Sequence, residues 1–328
     1  MEEINLQYTT IKTPLPSFIY RSLTDYSAGA NIYRPQPSEL IDKISIKYSI
    51  PKNTIFLSAG IDEALQMFQH AYGATTVIFT PTYVVHADAE LFGKKLFKIN
   101  CINSKNQYRV PIKTYKGATL ILLANPNNPS GFTTKENVME LVRLNPQAMV
   151  VIDEAYGAFG DLLVEDQVQQ NKNMAVLRSF SKDYGMAGNR IGYIIAHPSV
   201  IKTVSVFTTW ANISYLSVGA AVATFRHEEY FKHMRDDISK RRDNFLHFLT
   251  AHKFSVLPSQ INAVMIKFSS AIDATQFVEY LAKHNIVVSH GNGNSNIGLD
   301  NSFVRLSIGN SQQMEQVTQI IADFDHPT

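Results

Sequence analysis

From about residue 54 to residue 197, short β-branched runs alternate with segments of helical period, and several of the runs are apolar without a break. Thr119-Leu120-Ile121-Leu122-Leu123-Ala124 and Met149-Val150-Val151-Ile152 are the clearest. A strand with one wet face alternates apolar and polar residues, whereas a strand that is apolar throughout needs cover on both faces. Helical segments between the runs supply that cover and imply crossover connections, hence a mostly parallel sheet. The runs predicted as strands are 54–57, 75–80, 95–99, 119–124, 148–153, 174–179 and 191–196, a seven-stranded sheet between helices in an α/β domain.

After Pro198 the texture changes. Residues 215–252 are predicted mostly helical, followed by strands near 263–268, 286–289 and 303–308 and helices at about 273–284 and 311–324. That α+β pattern predicts a second, smaller domain. The expected division is an N-terminal arm over 1–35, a large domain over 36–228 and a small domain over 229–328. The arm shows no clear periodicity and is expected to lie on another surface, at the small domain and a subunit interface.

Composition narrows the partners. With 328 residues, 45% of them hydrophobic, the chain can bury a large core, and its net charge of +2 comes without a basic block, which argues against nucleic acid. Lys240-Arg241-Arg242 sits in a helical stretch and is expected to be a solvated face. Cys101 is the one cysteine, which excludes an internal disulfide and a cysteine-based zinc site; no HExxH or similar spacing points to a metal. Met1-Glu2-Glu3-Ile4 does not open a secretory signal, and no apolar run reaches the roughly 20 residues that span a bilayer. A soluble, cytoplasmic protein without membrane contact is expected.

Five polar elements interrupt the pattern, four at or near the C-terminal ends of predicted strands, where open parallel sheets bind ligands. Ser58-Ala59-Gly60-Ile61-Asp62-Glu63 turns from a strand into a helix, and its first N–H groups suit an anion. Thr80-Pro81-Thr82-Tyr83 puts an aromatic after a strand, and Asn125-Pro126-Asn127-Asn128-Pro129-Ser130-Gly131 is a proline-stiffened turn presenting Asn128. Asp153, in Ile152-Asp153-Glu154-Ala155-Tyr156, ends an apolar strand, so its carboxylate is partly buried and needs a cationic partner. Arg178-Ser179-Phe180-Ser181-Lys182, continued by Ala187-Gly188-Asn189-Arg190-Ile191-Gly192, places hydroxyls, a lysine and an arginine within a dozen residues. Singly, each is an ordinary turn or helix start. Together they supply an amine nucleophile, a buried acid, an amide, an aromatic plane and a cup of donors for a phosphate, the groups pyridoxal phosphate requires.

In these elements, and in Val304-Arg305-Leu306-Ser307-Ile308-Gly309, the sequence resembles the fold-type-I aminotransferases of class I/II, nearest the histidinol-phosphate aminotransferase branch. The motifs run in family order over about residues 30–325, and Ser179-Phe180-Ser181-Lys182 with an arginine eight residues beyond the lysine is the most specific. The resemblance implies pyridoxal 5'-phosphate held by Lys182 as a Schiff base, with Lys182 then moving the proton at the substrate's Cα. It implies Asp153 on the ring nitrogen, Asn128 and Tyr156 on the phenolate oxygen, and Tyr83 against the ring. Gly60, Ile61, Asp62, Ser179, Ser181 and Arg190 would hold the phosphate, and Arg305, with Asn128, the substrate. It further implies a homodimer in which Tyr33 reaches the partner's cofactor, although Tyr33-Arg34-Pro35 inverts the family's Arg-Tyr-Pro order.

Two departures concern the substrate. The family's Asn-Glu-Asn-Pro-Tyr-like arm segment is missing, and Ser289 then His290 stand where an arginine after the strand 286–288 usually helps bind a distal phosphate. The expected activity is ping-pong transfer of an amino group between an amino acid, or amino-alcohol phosphate, and a 2-oxo acid, with a substrate other than histidinol phosphate. The alternatives are a decarboxylase of the threonine-phosphate type and a true histidinol-phosphate aminotransferase. A non-catalytic regulator with a DNA-binding module is disfavoured, because only about 35 residues precede the core. His290-Gly291-Asn292-Gly293-Asn294-Ser295-Asn296 lacks dinucleotide-loop spacing and is expected to be a mobile turn.

Overall fold

The computed structural model describes residues 2–160, 163–293 and 295–324. The arm opens with β1 (Ile4–Asn5) and then forms α1 (Ser17–Ser27). Here the structure departs from the expected aperiodic arm: Ile19, Ser22, Leu23 and Tyr26, spaced three and four apart, make one helical face. That period is diluted by exposed Tyr20 and by three hydroxyl residues, which hides it in the sequence.

Next come α2 (Ser38–Tyr48), β2 (Ile55–Ser58), α3 (Ile61–Tyr72), β3 (Thr75–Thr80), β4 (Thr82–Tyr83) and β5 (Lys95–Asn100). They are followed by β6 (Leu120–Ala124), α4 (Lys135–Leu144), β7 (Met149–Asp153), β8 (Met174–Ser179), the short α5 (Phe180–Asp183), β9 (Gly192–Ala196) and α6 (Pro198–Val204). Seven of these strands form one sheet in the order β2-β9-β8-β7-β6-β3-β5, with β9 antiparallel to both neighbours and the other pairings parallel. Alternate residues of the buried strands serve opposite layers. Ile121, Leu123, Val150, Ile152 and Val176 pack with Ile19, Leu40, Ile44 and Val218 on one side. Leu120, Leu122, Val151, Ala175 and Leu177 pack with Leu65, Phe68, Val200 and Val204 on the other.

Because β9 runs back beside β8, no crossover separates them. The connection that carries Lys182 and Arg190 therefore stays at one edge of the sheet, with the C-terminal ends of β2, β3, β6 and β7.

The rest of the chain is α7 (Tyr215–Arg226), α8 (Glu228–Ala251), β10 (Ser255–Leu257), β11 (Ala263–Lys267), α9 (Ala271–Lys283), β12 (Ile286–Val287), β13 (Ser289–His290), β14 (Asn296–Ile297), β15 (Phe303–Ser307) and α10 (Ser311–Ala322). Helix α7 meets α1 so closely that a Cβ on Gly219 would lie 2.4 Å from Tyr26 Cγ. Strands β10-β11-β15-β13 form an antiparallel sheet, whose core joins Phe277, Leu281 and Val317 of the two helices to Ile4 and Leu6 of the arm. The arm is held there by β1, parallel to β12. The expected solvated face at 240–242 is corrected at Arg242 alone: Lys240 is exposed, but Arg242 is buried and donates to Ile261 O and Asp243. The segment after His290 ends in a strand: Asn296, in β14, pairs with β4 at Tyr83. Asn294 of that segment lies outside the described residues.

Among the described residues no group of His, Cys, Asp and Glu is arranged to hold a metal, and no helix is long and apolar enough to cross a membrane.

Candidate active site

A cavity of about 270 Å³ lies at the C-terminal edge of the sheet, lined from β2–α3, β4, β6, β7, β8–β9, β15 and the arm. Lys182 projects into it from α5. Its backbone is fixed on both sides: Ser179 Oγ caps the turn by accepting from the Ser181 N–H at 3.0 Å, and the buried Asp183 accepts from the Ala158 N–H. Arg235 donates to Asp183 O at 3.0 Å, and Arg178 faces the same carboxylate at 3.5 Å. Among the described residues the Lys182 amine has no hydrogen-bond partner, and it lies 5.9 Å from the Tyr156 ring centroid. Burial, reinforced by the charge of Arg305, lowers its pKa to about 8. A large fraction is therefore the neutral, nucleophilic amine near pH 8.

Asp153 closes β7 and is 4% exposed. Its Oδ1 accepts from the Ala155 N–H at 2.9 Å, and its Oδ2 is 2.9 Å from Nε2 of His86, which is sealed from solvent. A carboxylate offers about four acceptor sites, so two remain for another donor. His86 is one of the cavity's supporting residues that the sequence did not single out. It follows Tyr83 by three residues in a 3-10 segment, and no local pattern distinguishes it from a core histidine.

Arg305, on β15, is 2% exposed and, among the described residues, meets only neutral oxygens: Asn128 Oδ1 at 2.7 Å, Asn296 Oδ1 at 2.7 Å and Gln7 O at 2.6 Å. Its Nε, also buried, finds no acceptor among the described residues. A guanidinium held this way is charged but unneutralised, and is set for an anionic partner. Asn296 was not anticipated as its support, because only the β14–β4 pairing brings that residue across.

Arg190 adopts a left-handed backbone, φ 48°, and its Nη2 donates to Asp62 Oδ2 at 2.8 Å. Asp62 Oδ1 accepts from the Tyr83 hydroxyl at 3.0 Å. At Gly60, φ is +86°, and a Cβ would come 2.8 Å from Arg190 Nη2. Glycine therefore lets the guanidinium close on the first turn of α3, whose N–H groups lack helical acceptors.

The structure thus brings Ile61, Asp62, Tyr83, Asn128, Asp153, Tyr156, Ser179, Ser181, Lys182, Arg190 and Arg305 to one cavity, with Gly60 at its wall. Tyr33 is elsewhere: it is 79% exposed and touches Trp210, ring centroids 5.9 Å apart. Neither Ser289 nor His290 lines the cavity, for Ser289 Oγ donates to Gly293 O at 2.8 Å and His290 Nε2 is 2.6 Å from Asn301 O. Tyr8, Thr9 and Thr10 of the arm do line it, and Thr9 Oγ1 shares a 2.7 Å hydrogen bond with the Tyr156 hydroxyl. Burial pushes that phenol up to about 12, so it is a proton donor at neutral pH.

Comparison with known proteins agrees with this architecture. The family model for aminotransferase class I and II matches residues 27–321. A histidinol-phosphate aminotransferase of Oceanobacillus iheyensis is 28% identical over 302 residues, covering 88% of this chain and 81% of the relative. Among solved structures, the histidinol-phosphate aminotransferase of Clostridium acetobutylicum superposes with a TM-score of 0.87 at 19% identity, covering 97% of each chain. The L-threonine-O-3-phosphate decarboxylase of Porphyromonas gingivalis superposes at 0.84 and 22% identity, covering 97% of this chain and 98% of that one. The chain belongs to the class I and II aminotransferases, enzymes that work with pyridoxal 5'-phosphate.

Proposed function

We propose that the cavity is the active site of amino transfer between an amino acid and a 2-oxo acid, with Lys182 as the residue that binds the cofactor and moves the proton. The observation that carries this reading is the meeting of Lys182, Asp153 and Arg305 in one cavity, from three separate strands or strand ends.

The residues fit the cofactor. Asp153 has acceptor capacity left for a ring N–H, and its contact with buried His86 holds it in place. Arg190, the Ser179 and Ser181 hydroxyls and the free N–H groups of α3 suit a phosphate dianion, and Tyr83 beside Asp62 closes that wall. Bound there, the cofactor supplies an electron sink for negative charge developing at the donor's Cα. The chain's own residues do the rest. The Lys182 amine would take the proton from the donor's Cα and deliver it to the cofactor's C4′ carbon, and move it the opposite way in the second half-reaction, a role suited to an amine whose pKa burial lowers to about 8. Arg305 orients the donor through its α-carboxylate, and the Thr9–Tyr156 pair excludes water on the arm side.

Histidinol phosphate is not the substrate we favour. Its phosphate needs a second cation, and at the position where the resemblance leads one to look, Ser289 and His290 are committed to backbone oxygens. We further propose a homodimer built on the apolar surface of Ile32, Tyr33, Val206 and Trp210, exposed by 52, 79, 71 and 69%. A cytoplasmic location fits the same reading.

The test is a panel of amino acids mixed with the holoenzyme. Amino transfer leaves the pyridoxamine form and one 2-oxo acid per site. Release of carbon dioxide and an amine instead would make the chain a decarboxylase.

A further inference from the structure

Glu63 ends the turn that begins at Ser58, and no step of the chemistry uses it. Its half-buried carboxylate is nevertheless fully engaged. Oε2 accepts from the Ala59 N–H at 2.6 Å and from Asn212 Nδ2 at 2.7 Å, and Oε1 accepts from Thr208 Oγ1 at 2.5 Å. A glutamate in the third position of a helix ordinarily reaches back to close that helix's own first turn. Glu63 does so at Ala59, which leaves the N–H groups of Ile61 and Asp62, in the cavity wall, to another anion. It also grips a loop that lies far along the chain.

That loop is tied down at its other end. Asn212 Nδ2 also donates to Leu57 O at 3.1 Å, and its Oδ1 accepts from Gln36 Nε2 at 3.3 Å. Gln36, with a left-handed backbone at φ 47°, serves the edge strand β2 as a neighbouring strand would. Its Oε1 accepts from the Leu57 N–H at 2.7 Å, and its Nε2 donates to Leu57 O at 2.9 Å. Between Thr208 and Asn212 stands Trp210, the single tryptophan of the chain, packed on Tyr33.

Electrostatics alone would not put an acid here. A carboxylate in the first turn of α3 repels a phosphate dianion and competes with it for the positive end of the helix. Among the described residues the groups that meet Glu63 are neutral donors, so no cation offsets the repulsion. What the carboxylate supplies is two oxygens that join three donors from separate segments.

We propose that Glu63 is a positioning residue that holds the Ala59–Asp62 turn in the shape that receives the cofactor's phosphate, and makes that shape depend on the Thr208–Asn212 loop. This inference rests on the placement of the phosphate at α3 and deepens it. Coupling of this kind is reciprocal, so an anion bound at the turn must also be felt at Trp210.

The experiment measures the affinity of the cofactor-free, full-length protein for pyridoxal 5'-phosphate and for pyridoxal. The ratio of the two Kd values reports what the phosphate contributes. Glu63→Gln offers one oxygen where three donors need two. Its ratio should fall about tenfold, although the variant removes a charge that repels the phosphate, and its Kd for pyridoxal should stay within about twofold. Thr208→Val keeps the charge and the Ala59 bond; it should lower the ratio about threefold, and Thr208→Ser should restore it. Inorganic phosphate should change the Trp210 emission of the wild-type protein, and change it less in Thr208→Val. A Glu63→Gln ratio at or above that of wild type, equal losses for both ligands, or a Thr208→Val that matches wild type in both readouts would overturn the proposal. Should Glu63→Gln fail to fold, the two Thr208 variants decide it alone. A wild-type protein that gains nothing from the phosphate would overturn it together with the placement at α3. One that binds the cofactor in the predicted ratios but transfers no amino group would sink the aminotransferase reading and leave the role of Glu63 supported.

Discussion

His86 Nε2 and Asp153 Oδ2 lie 2.9 Å apart at the floor of the cavity, the histidine sealed from solvent and the aspartate nearly so. The contact fixes which way the carboxylate faces, and the Ala155 N–H fixes its other oxygen. Removing the charge should matter most: Asp153→Asn is expected to lower kcat about a hundredfold or more. His86→Gln, which loosens the acid without removing it, should fall between wild type and Asp153→Asn. Steady-state kinetics on cofactor-saturated variants check the order, and a His86→Gln enzyme as fast as wild type would show that the contact is not needed.

The depressed Lys182 gives a pH signature in the cofactor-free protein. Its folded pKa, about 8, lies below the ordinary 10.5. Below pH 8 both folded and unfolded chains bind the proton, and the cost of burying the charge is fully present. Between about 8 and 10.5 the unfolded chain holds more protons, so this group makes stability rise with pH. Urea unfolding at pH 7 and pH 9.5 should therefore favour the higher pH more in wild type than in Lys182→Met. An identical pH dependence in the two proteins would contradict the shift.

Arg178 is a structural counterpart. It is 2% exposed and faces Glu154 at 3.1 Å and Asp183 at 3.5 Å, both buried. Arg178→Met would leave these two acids, and Glu165 at 3.8 Å, without that cation and is expected to cost about 3–5 kcal/mol in urea denaturation. Adding Glu154→Gln should recover part of that loss. Because Asp183 adjoins Lys182, the single variant should also weaken cofactor retention.

How much of this was legible in the sequence follows from where each constraint resides. The seven large-sheet strands were predicted within a residue or two: short unbroken apolar runs such as Leu120–Ala124 fit doubly covered strands, and the largely exposed edge strand Lys95–Asn100 shows itself by alternation instead. The cavity residues were legible because strand ends converge by topology, so Asp153, Asn128 and Lys182 meet whatever the loops do. Helix α1 was not legible, as its buried stripe rests on Ile19 and Ser22 among polar neighbours. His86, Asn296 and Thr9 were missed for a different reason. Each reaches the site through a tertiary pairing, the 84–90 turn, β14 on β4, or the arm on Arg305, that no local spacing records.

The exposed Tyr33–Trp210 contact predicts the oligomer. Sedimentation equilibrium should give a dimer for wild type, and Trp210→Glu should shift it towards monomer by placing a charge in an apolar interface. A variant that remains fully dimeric would move the interface elsewhere.

The most direct test of the central claim is the site of covalent attachment. The holoenzyme is reduced with borohydride, digested and sequenced by mass spectrometry. The cofactor's mass is expected on the peptide containing Lys182, at close to one per chain, and on no peptide of Lys182→Ala. Attachment at Lys12 or another lysine, or an unmodified Lys182 in cofactor-loaded protein, would contradict the account.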